Sequence, residues 1–137
     1  PFLLVLSLMM AINVSASETN DIDAIRTTIM NYFNGLKESD ENLLNKAFVT
    51  NKANMKGLIH KKGDGLVLSN REMINVISDW AKREPNPNMT GEILAIDIFS
   101  KNGATALFDF NNTYIDSFQL AKTKRGWKII NKFYVDK

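Results

Sequence analysis

The sequence lacks cysteine altogether and has a single histidine, His60, among its 137 residues. Without cysteine the chain can form no disulfide framework, thiolate nucleophile or zinc knuckle. One histidine with scattered carboxylates offers no recognisable metal-ligand spacing, so we expect neither a metal nor a cofactor. Because His60 lies in a polar turn, we expect it to be solvated rather than catalytic.

Strong charge of either sign is also missing. The 17 basic and 15 acidic side chains leave a formal net charge of +2, whereas a domain that binds nucleic acid through its phosphates is strongly basic. The seven glycines form neither a phosphate-binding loop nor a serine elbow, since the strand, turn and helix around such motifs are absent. We therefore predict no nucleic-acid partner.

The apolar N-terminal run is too short to cross a bilayer. Residues 2–12 give eleven positions, and a membrane-spanning helix needs about 20. The small residues Val14 and Ala16 follow in the pattern that signal peptidase cuts. We interpret residues 1–16 as a truncated signal peptide and residues 20–137 as one domain. We thus expect a secreted or periplasmic protein with no membrane contact after cleavage; the alternative is a buried N-terminal helix or strand.

Apolar residues at spacings of three and four predict three helices. The first begins at an Asn20 cap and spans about 17 residues, with one buried face. Ser39 is the predicted cap of the second helix, and Ser69 with Glu72 has the spacing of a capping box that opens the third. The predicted buried stripe of the third helix is Met73, Ile74, Ile77 and Trp80.

Alternating patterns predict a short hairpin before the third helix and a four-strand antiparallel meander after Thr90. The hairpin strands are residues 55–59 and 66–68, and the meander strands are residues 92–99, 104–111, 114–121 and 127–135. The pair Asn102-Gly103 predicts a tight turn, because a type I′ turn needs positive φ at both central residues. Helices followed by strands are typical of an α+β domain with its helices on one sheet face.

The last turn determines which side chains share a face of the predicted sheet. If Trp127 pairs with Lys122, the inner face is apolar except for Asp116 and Asn131. Lys132 then falls on the opposite, partly exposed face.

The Asn-Gly turn of the first meander hairpin places Ile96 and Ile98 on the outer sheet face beside Leu107. Such a sheet is apolar on both sides, but the helices suffice to cover only one. We therefore expect a homodimer through the outer sheet face.

A set of short segments, in this order, resembles a known family. The segments are Asp23-Ala24-Ile25, Asn31-Tyr32-Phe33-Asn34-Gly35, Asp40, Ala47-Phe48, Ile93-Leu94-Ala95-Ile96-Asp97-Ile98, Asn102-Gly103-Ala104, Asp116-x-Phe118-x-Leu120 and Gly126-Trp127-Lys128-Ile129-Ile130-Asn131-Lys132. They are similar to small bacterial nuclear transport factor 2-like proteins, and more specifically to the branch called "putative lumazine-binding". One departure is that many relatives carry a histidine after the Ala-Phe pair, where this chain has Val49 and Thr50.

The resemblance implies a cystatin-like, cone-shaped α+β fold, in which three helices pack on a curved antiparallel sheet around a pocket. It also implies frequent homodimers.

The predicted inner face supplies the candidate site. Burial raises the pKa of a carboxyl group, which suits Asp116 as a general base, or else Asp116 bonds backbone amides or Asn131 and fixes the pocket wall. Asn131 is a candidate partner for a ligand carbonyl. Phe118 on the sheet and Tyr32 and Trp80 on the helices are candidate lining residues, although aromatic residues at helical spacing more often form the core.

Three functions remain open. The first is a small-molecule-binding domain for a hydrophobic or aromatic ligand, with no demonstrated catalysis. The resemblance extends to ketosteroid isomerases, dehydratases and polyketide cyclases, and implies as a second reading an enzyme of that type with Asp116 as its base. The third is a dimeric protein-interaction module that works through the outer sheet face.

Overall fold

The computed structural model describes residues 16–137, so nearly all of the predicted signal peptide lies outside the described residues. The helices are α1 (Ala16–Glu38), α2 (Glu41–Ala47) and α3 (Met73–Trp80), and the strands are β1 (Asn54–Lys61), β2 (Gly65–Glu72), β3 (Gly91–Ser100), β4 (Gly103–Phe110), β5 (Tyr114–Thr123) and β6 (Gly126–Asp136). This confirms the predicted α+β class and the order of the elements. Within these residues no helix is both long and apolar enough to span a membrane.

The long first helix buries the face that its periodicity predicts. Its buried residues include Ile25, Ile29, Tyr32, Phe33 and Leu36. The predicted start is wrong, because α1 runs from Ala16 and places the expected cap, Asn20, inside the helix.

The caps of the two short helices also differ from prediction. Asp40, rather than Ser39, caps α2, and its carboxylate accepts hydrogen bonds from the amides of Asn42 at 2.8 Å and Leu43 at 3.1 Å. Ser69 opens no helix, since β2 continues to Glu72 and pairs with β1 along its whole length. Strand pairing therefore prevails over the local capping-box pattern, and α3 starts only at Met73.

The buried stripe of α3 is shifted by this later start. Met73, Val76, Ile77 and Trp80 are buried, while the predicted core residue Ile74 is exposed.

The six strands of residues 16–137 form one sheet, in the order β2-β1-β6-β5-β4-β3. The β1–β6 pairing is parallel and joins the short hairpin to the meander, and the other pairings are antiparallel. The three helices cover one face of this sheet, and the buried core lies between them. The expected curved antiparallel sheet is confirmed, apart from the parallel β1–β6 pairing, which the sequence pattern does not predict.

The predicted register between β5 and β6 is wrong beyond a β-bulge in β6. Leu120 pairs with Ile129 as expected, but the register then shifts, and Gln119 pairs with Asn131. Ile130 is the extra residue. A bulge of one residue reverses the faces of every side chain beyond it.

This reversal moves Lys132 inward, opposite Phe118, and moves Asn131 to the outer face. Asp116 consequently faces Tyr134 rather than Phe133.

The observed register between β3 and β4, the first meander hairpin, also differs from the predicted one. Ser100 pairs with Gly103, so that Lys101 and Asn102 form the turn, and register shifts occur near Leu94 and Phe99. Ile96 and Ile98 therefore pack against the core instead of the outer face.

Candidate functional site

A cavity of about 470 Å³ lies between α1, α3 and the inner face of the sheet. Apolar and aromatic side chains form much of its wall, namely Leu36, Met55, Trp80, Met89, Phe110, Tyr114 and Tyr134. The polar lining residues are Tyr32, Arg71, Arg83, Glu84, Asn86, Asp116 and Lys132. Its volume falls within the range of small-molecule sites.

Asp116 is the centre of a buried hydrogen-bond network in this cavity. The side chain is only 1% exposed, and each of its oxygens has a partner. The Tyr32 hydroxyl donates to Oδ2 at 2.7 Å, and the Lys132 ammonium donates to Oδ1 at 2.5 Å. The network thus contains a buried ion pair and one neutral donor.

Aromatic rings surround the buried ammonium of Lys132. Its Nζ lies 4.6 Å from the ring centroid of Tyr134 and 5.6 Å from that of Tyr32. The Tyr134 ring approaches the β1 backbone at Gly57, where a Cβ atom would collide with it. The glycine therefore makes room for the ring that covers the ion pair.

Burial shifts the pKa values of two members of the network. It raises the pKa of Tyr32 well above 10.0, and the charge of Asp116 and the hydrogen bond to it act in the same direction. Tyr32 is therefore a neutral donor at physiological pH. Burial also lowers the pKa of Lys132, although its ion pair with Asp116 opposes that shift.

An aromatic cluster fixes the position of the Tyr32 ring. Its centroid lies 5.2 Å from that of Phe118, 5.8 Å from Phe48 and 6.0 Å from Trp80. Such packing holds the hydroxyl on Asp116.

The cavity mouth carries further charge. Arg71 on β2 pairs with Asp79 on α3, and the loop after α3 contributes Arg83 and Glu84. The amide of Asn86 in that loop donates to the carbonyl of Lys37 at 2.8 Å, which ties the loop to the end of α1.

Three of the predicted site residues, Tyr32, Trp80 and Asp116, line the cavity together. Phe118 is fully buried in contact with Tyr32 and lies outside the lining. The prediction that Asn131 lies on the inner face is wrong, because its Nδ2 donates to the Oε1 atom of Gln119 at 3.3 Å on the outer side of the sheet.

The sequence pattern missed Lys132, the charged partner of Asp116. Two signals could have found it. The adjacent pair Ile129-Ile130 breaks the alternation of β6, as a bulge does. In addition, a buried charge is usually paired, and Lys132 is the residue next to Asn131, which the sequence pattern places on the inner face with Asp116.

Among residues 16–137, no cluster of three or more potential metal ligands occurs. His60 is exposed near the end of β1, as its turn context predicts, with its Nδ1 atom 3.5 Å from Asp136.

Residues 20–135 match the model of the family described as "Putative lumazine-binding". The chain belongs to this family. The match spans α1 from Asn20 through nearly all of β6, so it includes every residue of the Asp116 network. No curated protein matches the chain.

Solved structures agree with the fold expected for the putative lumazine-binding family. One is a nuclear transport factor 2-like protein of unknown function from Shewanella baltica OS155, with a TM-score of 0.72 and 22% identity over 87% of this chain and 95% of that one. Another, of the same description, comes from Methylobacillus flagellatus KT, with a TM-score of 0.70 and 28% identity over 93% and 98%.

A third solved structure is a ketosteroid isomerase-like protein from Erwinia carotovora atroseptica SCRI1043. It has a TM-score of 0.55 and 13% identity over 85% of this chain and 95% of that one. At this identity the likeness extends to the fold alone.

Proposed function

We propose that the cavity binds a small molecule with a planar, aromatic body and a polar edge. The observation that carries this proposal is the combination of aromatic walls with one buried polar network. An ammonium group has three N–H donors, and Asp116 takes one of those of Lys132. The remaining donors suit a carbonyl or ring nitrogen of a ligand whose body lies against Trp80 and Tyr134.

Binding fits the network better than base catalysis does. A general base must accept a proton from its substrate, but both oxygens of Asp116 already accept hydrogen bonds, one from a cation. The isomerase, dehydratase or cyclase reading would require Lys132 to move away first.

Thermal-shift screening followed by calorimetry with planar heteroaromatic compounds tests this proposal. We expect Lys132→Met to weaken binding of a hit about tenfold or more, since the hydrogen bond lost is charge-assisted. Asn131→Ala is the matched control, because that side chain lies on the same strand but on the outer face.

Because we expect Lys132→Met also to destabilise the fold, Met89→Trp serves as a second test variant. Met89 lines the cavity and is not one of the hydrogen-bond partners of Asp116, so a larger side chain there should exclude the ligand sterically. A panel without a single hit, or equal losses in Asn131→Ala and Lys132→Met, would refute the proposal.

We also propose that the chain forms a homodimer through the outer sheet face. Apolar side chains remain exposed there, with Leu68 at 66%, Leu107 at 41% and Ile130 at 40%. A second copy would cover such a face, which monomers seldom leave bare. The same surface would serve the alternative role of a protein-interaction module.

We propose, finally, that residues 1–16 direct export and are removed before Ser17. The support is the uncharged apolar segment followed by small residues. Fusing residues 1–20, preceded by an initiator methionine, to a reporter that is active only outside the cytoplasm tests this, and a charge placed at Leu4 should abolish the signal. Cytoplasmic retention of the unaltered fusion would contradict it.

A further inference from the structure

A second concavity, of about 990 Å³, lies outside the Asp116 cavity, where the loop after α2 meets the turn between β5 and β6. Four cationic side chains line it, and we call it the basic groove: Lys46, Lys124, Arg125 and Lys128. No acidic residue is among its lining residues. Within residues 16–137 none of the four forms an ion pair, whereas Arg71, Lys122, Lys132 and Lys137 all do.

The position of Lys128 makes this groove more than a solvated turn. The side chain is half-buried, and its Nζ donates to the carbonyl of Lys46 at the end of α2. Burial and the nearby charges of Arg125 and Lys46 lower the pKa of Lys128. Lys46, Arg125 and Lys128 are thus held close together, and no carboxylate of residues 16–137 forms an ion pair with them.

Neutral hydrogen-bonding groups accompany the cations. Asn42, Asn45 and Asn51 bring amides into the lining, and the Thr50 hydroxyl donates to the Oδ1 atom of Asn45 at 2.8 Å. That bond leaves the amide nitrogen of Asn45 free to donate. The Thr123 hydroxyl donates to the Gly126 carbonyl and accepts from the Arg125 amide, which fixes the turn.

We propose that the basic groove binds a phosphate group carried by a small molecule or a lipid headgroup. A phosphate presents several anionic oxygens to cations and amide donors at once. The groove is much larger than a phosphate ion, so it has room for the rest of the molecule. The low net charge of the whole chain, +2, favours a compact anion over a long polyanion.

Two binding assays with the full chain distinguish the sources of the phosphate. Calorimetry with inorganic pyrophosphate probes a soluble ligand, and co-sedimentation with phosphatidylcholine vesicles, with and without phosphatidic acid, probes a headgroup. The test variant is Lys124→Ala/Arg125→Ala. The control is Lys61→Ala/Lys62→Ala, which removes two exposed cations from another turn.

We expect the test variant to weaken binding about tenfold or more and the control less than about twofold. Pyrophosphate binding with this dependence supports a soluble phosphate compound, and the same dependence only on phosphatidic-acid vesicles supports a headgroup. Binding in neither assay, or equal losses in both variants, overturns the proposal. Circular dichroism checks folding, and Arg125→Gln replaces the double variant if that unfolds.

Discussion

At the scale of single residues, Asp116 and Lys132 depend on each other. Only 1% of Asp116 and 4% of Lys132 is exposed, so either charge alone would be buried without compensation. The desolvation of two charges offsets much of their attraction, and a buried pair contributes little net stability. Removing one partner is therefore far more harmful than removing both.

A double-mutant cycle measures this dependence. Lys132→Met should lower the free energy of unfolding by about 3–5 kcal/mol, because it leaves Asp116 buried without its cation. The double variant Asp116→Asn/Lys132→Met should recover much of the loss, as followed by urea unfolding. Additive effects of the two single changes would show that the charges are not coupled.

Tyr32 should make the free energy of unfolding fall at alkaline pH. Because its folded pKa is raised above 10.0, the native state keeps a phenolic proton that the unfolded chain releases, and stability falls as pH rises beyond about 10. Tyr32→Phe removes this contribution, so the stability difference between wild type and variant should narrow above that pH. Urea midpoints measured from about pH 8 to about pH 11 test this.

Tyr114→Phe is the control for this pH series. Tyr114 also lines the cavity, but the tyrosine hydroxyl that donates to Asp116 is that of Tyr32. An equal narrowing in Tyr114→Phe would indicate that the effect does not come from the Asp116 network.

At the scale of elements, the short helix α2 depends on its first residues. Seven residues cannot form a stable helix by propensity alone. The cap and the packing of Leu44 therefore stabilise α2. Asp40→Ala should lower the free energy of unfolding by about 1 kcal/mol, because two backbone amides lose their acceptor. Ser39→Ala should change it little, since the buried Ser39 hydroxyl has no hydrogen-bond partner within residues 16–137. If Ser39→Ala lowered the free energy of unfolding more than Asp40→Ala does, Ser39 would be the cap, as the sequence predicts.

Local periodicity was enough to predict that there are three helices and which face of α1 is buried, as Ile25, Ile29 and Tyr32 illustrate. It was also enough to place Asp116 in the pocket, because β5 alternates without interruption up to that residue. The bulge at Ile130 could not be predicted in the same way. It depends on how β6 is paired with β5 and with β1 on its other side, and a one-residue shift exchanges Asn131 for Lys132.

The start of α3 illustrates the same contrast between local and long-range signals. Ser69 and Glu72 have the spacing of a capping box, yet the backbone of β2 pairs with β1 through Glu72. The amide of Met73 then donates to the carbonyl of Ala53 at 2.9 Å. Only the three-dimensional structure brings that acceptor to the helix start.

At the scale of the whole molecule, the sheet separates two different surfaces. Its inner face forms the cavity with the helices, while its outer face bears exposed apolar side chains that no helix of residues 16–137 covers. Ile96 and Ile98 belong to the inner face, so substitutions there would disturb the core rather than an interface. A test of dimerisation therefore has to use the side chains that the observed registers place outside.

Leu107→Glu is the change best suited to that test. Leu107 is 41% exposed on the outer face of the sheet. It lies on β4, which is not an edge strand, with Ala95 and Ser117 as its cross-strand neighbours. A carboxylate there would be buried without a partner in a dimer but solvated in a monomer. We expect light scattering to give a dimeric mass for wild type and a monomeric mass for Leu107→Glu at the same concentration.

Ile74→Glu, which places the same charge at an exposed apolar position on α3, should remain dimeric. A wild-type monomer, or loss of the dimer in Ile74→Glu alone, would exclude this face as the interface.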